Sequence, residues 1–151
     1  MHVNPFDIRT ALFAKHAQHV VLIHFPIALF VSSVGFDFLA QWKKNQTLAA
    51  AAYFNLFLAS AFTVPTIATG LAAWRWALAG QALQGVLLLH LVFACVSTLL
   101  IWSVYFLHWH ARRHPEQALP SYRLAIEALA VLLIGLTAHL GGFLSGVNGP
   151  A

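Results

Sequence analysis

Charge is what this chain has least of. Only 8% of its 151 residues are Asp, Glu, Lys or Arg, where a water-soluble domain carries about 25%. So few charges cannot cover a surface that faces water, and the mean hydropathy is +0.77. The chain reads as an integral membrane protein of all-α class, because helices satisfy their own backbone polar groups in lipid. Cysteine is almost missing as well. Cys95 stands alone, so there is no internal disulfide and no C-x-x-C-H for covalent haem. Its place in mid-segment predicts a buried, inert thiol. The net charge of +4 forms no stripe but scatters to segment ends, which speaks against nucleic acid and for membrane flanks. No serine or cysteine pairs with a base, so hydrolytic catalysis has no support. No inverted repeat of the kind that marks many transporters is visible.

What the chain does have is four apolar stretches, at roughly 19–40, 48–73, 85–107 and 122–144. Each reaches the roughly 20 residues that cross a bilayer. Short links between them predict one transmembrane domain over 1–151, a four-helix up-down-up-down bundle. Residues 11–19 are expected as a short interfacial helix. Pro65 should kink the second span, and Trp74-Arg75-Trp76 should anchor its end in the interface. Arg9, Lys15 and Arg75 lie on one side of the bundle, and Lys43, Lys44, Arg112, Arg113 and Arg123 on the other. The second side is therefore expected to be cytoplasmic, with both termini periplasmic in a bacterial inner membrane.

Histidine is the residue out of keeping with so apolar a chain. An ionisable group inside a membrane span is costly and marks a function by default. In an alternating bundle the starts of spans one and three share a face with the ends of spans two and four. His24, His90 and His139 each fall about one turn inside that face. Gly70 and the Gly141–Gly142 pair strip bulk from spans two and four there, although small residues also serve plain helix packing. The expected site is a b-type haem. His24 and His90 would clamp the iron from diagonal helices, and His139 would be an alternative ligand or a propionate donor. Gly70 and Gly142 would admit the macrocycle, and His19 would support the site from the interface. No carboxylate sits at that depth, which weakens a zinc or copper reading. On the opposite side Asp37 is expected to pair with Lys43, Lys44 or Arg123. His108, His110 and His114 all hang from span three alone, so no second bis-histidine haem is expected there.

These motifs carry a resemblance. His19-x4-His24-Phe25-Pro26, Thr69-Gly70, His90, and His139-Leu-Gly141-Gly142 with the Gly146–Gly149 tail resemble a bacterial four-helix membrane-protein family of unassigned function. That family is in turn similar to b-type di-haem membrane cytochromes. Val20 stands where that family's first histidine is usually followed by proline, and only one membrane face collects histidines from several spans. The resemblance therefore implies one haem b and electron transfer, and carries over no enzymatic activity; an electron carrier or subunit is expected rather than a stand-alone enzyme. The partners to expect are the lipid bilayer, a periplasmic redox protein or respiratory complex, and the quinone pool. The alternative is a non-catalytic anchor or accessory subunit of a respiratory or photosynthetic assembly.

Overall fold

The computed structural model describes residues 17–114, 116 and 119–146. Its elements are α1 (Ala17–Leu22), α2 (His24–Lys43), α3 (Gln46–Trp76), α4 (Gly85–Arg113) and α5 (Arg123–Leu144). The all-α expectation holds, and four helical stretches are long and apolar enough to cross a membrane. The first three run longer than hydropathy alone marks them, the third, α4, by six residues at its end. Amphipathic ends can stay helical beyond the apolar core of a span. Of the interfacial helix expected over 11–19, residues 11–16 lie outside the described residues.

Proline punctuates the first span. Pro26 has no N–H to give the Leu22 carbonyl, and its ring crowds that carbonyl. The helix breaks there: α1 ends at Leu22, Ile23 forms a turn, and α2 starts afresh at His24. Pro65 lies inside α3, which stays helical across it. Lys44 adopts a left-handed conformation with φ 50°, and the Asn45 N–H bonds the Ala40 carbonyl at 3.0 Å. The Asn45 side chain then caps α3 through the N–H groups of Thr47 and Leu48. That two-residue turn forces α2 and α3 to lie side by side.

Each hairpin, α2–α3 and α4–α5, packs chiefly within itself, and the two join through α3–α4 and α2–α5. Phe30, Leu56, Ala59, Ile101, Val104, Ala130 and Ile134 form the core. Small residues let α2 and α3 approach closely, and the Ser33 hydroxyl donates across to the Ala52 carbonyl at 2.7 Å. Trp102 Nε1 donates to Thr63 Oγ1 and ties α4 to α3. Large apolar side chains such as Phe54, Leu99 and Leu132 point outward, as a bilayer surround requires.

The two hairpins repeat each other at a spacing of 71 residues. Pro26, Phe30, Ser33 and Asp37 are buried on α2, and so are Ser97, Ile101, Val104 and His108 on α4. Ala52, Leu56, Ala59 and Thr63 on α3 match Arg123, Glu127, Ala130 and Ile134 on α5 in the same way. An approximate two-fold axis therefore runs along the bundle, the parallel form of internal repeat found in some membrane transporters.

Candidate functional site

The repeat pairs His19 with His90, and their surroundings match closely. His19 Nδ1 lies 3.2 Å from the Thr66 carbonyl, 47 residues on. His90 Nδ1 lies 3.0 Å from the Thr137 carbonyl, also 47 residues on. A carbonyl only accepts, so each Nδ1 carries the proton as donor. In the neutral ring, Nε2 then keeps its lone pair for a metal. Such a hydrogen bond on the far nitrogen is the usual way a protein fixes the tautomer of a ligating histidine.

Both rings are held by a glycine on the neighbouring helix. A Cβ at Gly70 would meet His19 Cε1 at 2.9 Å, and one at Gly141 would meet His90 Cε1 at 3.2 Å. A side-chain hydroxyl completes the cradle of His19. Thr69 Oγ1 accepts from His19 at 3.3 Å while donating to the Pro65 carbonyl at 2.9 Å. Thr137 Oγ1 donates to the Leu133 carbonyl and meets Ser97 Oγ at 3.3 Å. Both rings are half-buried. They come from the first and third spans, diagonal positions of the bundle.

The other residues expected at this site are placed elsewhere. His24, expected as an axial ligand, is exposed, and its Nδ1 bonds the Val20 carbonyl of its own chain segment at 2.7 Å. Its counterpart in the second half is Cys95, which is also exposed rather than buried as expected. His19, five residues earlier, takes the inward position, in step with the buried Pro26, Phe30, Ser33 and Asp37 at spacings of seven, four, three and four. His139 is exposed and packs edge-on against Phe143. A Cβ added at Gly135, on the same face, would meet nothing within 4 Å. Gly141 rather than Gly142 receives the histidine, while the Gly142 carbonyl accepts from Ser145 Oγ at 3.1 Å. Thr66, Thr137 and Gly141 are the partners that motif reading passes over. The 71-residue spacing shared by His19/His90, Thr66/Thr137 and Gly70/Gly141 is the signal that identifies them.

At the other end, Asp37 takes Arg123 as partner out of the three expected, with Nε and Nη2 each 3.0 Å from Oδ2. Arg123 is thus a buried ion-pair member and not a loop charge for orientation. His108 is buried against Glu127, Nε2 to Oε1 at 3.1 Å.

A family model described as a predicted membrane protein, DUF2231, matches residues 15–149. Neither the curated proteins nor the solved structures contain a match.

Proposed function

The chain belongs to the DUF2231 family of predicted membrane proteins, and we propose that it is a b-type cytochrome-like electron carrier holding one haem between His19 and His90. One observation carries this reading. The two cradled imidazoles offer two metal-binding nitrogens and no more. Among the described residues, the only grouping of three or more metal-binding side chains lies elsewhere, at Asp37, His108 and Glu127. A bare zinc or copper ion needs three or four protein donors. Iron in a porphyrin brings four nitrogens of its own and asks the protein for two. When bound, haem would supply a one-electron redox couple whose potential the axial nitrogens and burial tune.

The rest of the reading follows from position. With the Lys43–Lys44 end cytoplasmic, His19 and His90 face the periplasmic side of a bacterial inner membrane. There they would exchange electrons with a periplasmic redox partner or a respiratory complex, and through it the quinone pool. The visible spectrum of the purified, dithionite-reduced protein tests the reading. A sharp α-band is expected in wild type, with loss of bound haem in His19→Ala and in His90→Ala alike. His24→Ala and His139→Ala should keep the band. A wild-type protein without the band, or one that keeps it when His19 or His90 is lost, defeats the proposal.

A further inference from the structure

Eighteen residues along the first span from His19, and eighteen along α4 from His90, lie Asp37 and His108. That is about 27 Å along a helix, close to the depth of the hydrocarbon layer. There four ionisable side chains are buried together: Asp37, His108, Arg123 and Glu127 are each 5% exposed or less. Arg123 is fully occupied. Beyond its two bonds to Asp37 Oδ2 it reaches the Pro120 carbonyl at 3.4 Å, and the Gln41 side-chain carbonyl faces its guanidinium. Glu127 is not satisfied. His108 meets Oε1, but Oε2 is buried with no hydrogen-bond partner among the described residues.

The fold does not need charge at these positions. In the first half the places of Arg123 and Glu127 are filled by Ala52 and Leu56, both 1% exposed. Ionisable groups kept at such cost inside a membrane bundle call for a ligand. One donor atom each from Asp37, His108 and Glu127 lies within 4.8 Å of the others, and the three come from three different helices.

We propose that Asp37, His108 and Glu127 bind one divalent first-row transition ion of the zinc, iron or manganese class. Two carboxylates balance the ion's charge, and the imidazole selects against calcium, which prefers six or more oxygens. The 3.1 Å between His108 Nε2 and Glu127 Oε1 fits neighbouring ligands, since donors about 2.1 Å from one metal stand roughly 3 Å apart. Glu127 Oε2 gains the positive partner it lacks. Arg123 acts from outside the ligand set, holding Asp37 by Oδ2 and leaving Oδ1 for the ion.

Full-length protein in detergent, stripped with a chelator and titrated with Zn²⁺ or Co²⁺, tests this. One ion per chain is expected, and its X-ray absorption should show one imidazole among oxygen donors. Glu127→Gln should weaken Zn²⁺ binding more than about tenfold, and Arg123→Lys about tenfold. A His19→Ala/His90→Ala double variant should bind the ion as wild type does, which separates this site from the proposed haem site. Three results overturn the proposal: no uptake by stripped wild type, a shell with two or more imidazoles such as His110 and His114 could supply, or undiminished binding in Glu127→Gln. Should Glu127→Gln fail to fold, the donor shell of the wild-type protein decides the matter.

Discussion

Gly70 and Gly135 show how much a helix glycine depends on what it faces. At Gly70 a methyl group would collide with the His19 ring at 2.9 Å. Gly70→Ala should therefore push the imidazole off the Thr66 carbonyl and lower haem content, read from the reduced spectrum. At Gly135 a methyl group meets nothing, so Gly135→Ala should gain the usual helix preference of alanine, about 0.5–1 kcal/mol. A thermal melt of the detergent-solubilised protein should show a rise of a few degrees. Asp37 and Arg123 give the opposite lesson. Both are 5% exposed, so Arg123→Met strands a buried carboxylate and should cost about 3–5 kcal/mol. Replacing both, as Asp37→Leu with Arg123→Met, should recover most of that loss in the same melt, because an apolar pair needs no counter-charge.

Among the elements, the break between α1 and α2 is a local one. It exists because Pro26 cannot donate to the Leu22 carbonyl, and Ile23 keeps a right-handed helical conformation across it, so His19 stays in register with the buried face of α2. The equivalent place in α4 is Ser97, and that helix runs through unbroken. Pro26→Ala should restore the missing bond and fuse α1 to α2. Circular dichroism should then show unchanged or slightly greater helicity, and the His19 position should be kept, as His90 holds its place on the unbroken α4. Depth in the bundle made His24 the expected inward residue, and the structure leaves it exposed. The buried face of α2 continues through Pro26 at helical spacing and reaches His19 instead.

At the scale of the molecule, the two hairpins are versions of one unit. Each folds back through a short link and packs mainly on itself, and the 77–84 segment joins them. Residues 1–80 and 81–151, expressed together as separate chains, should therefore reassemble in the membrane and co-purify through a tag on either one. A failure to co-purify, with each half inserted, would show that the covalent link does more than tether. The halves have also diverged. Tyr53, Trp102, Tyr105 and Phe106 build an aromatic seam between α3 and α4, with the Arg112 guanidinium 4.4 Å above the Tyr53 ring. At the α2–α5 seam the matching positions are Leu124, Val31, Val34 and Gly35. Arg123 and Glu127 likewise belong to one half only.

The membrane class, the four spans and the bundle order were legible in the sequence, because hydropathy, charge scarcity and span length act locally and leave few other outcomes. So was the depth of His90, an ionisable group about one turn inside a greasy helix. Two things required the tertiary structure. The first was which histidine of the pair His19 and His24 turns inward, since both lie at one end of the same span and differ in which way around it they point. The second was the meeting of Asp37, His108, Arg123 and Glu127, which lie up to 90 positions apart along the chain. Hydropathy reports how deep a residue sits but not which way around its helix it points. Packing the hairpins about a shared axis supplies that second coordinate.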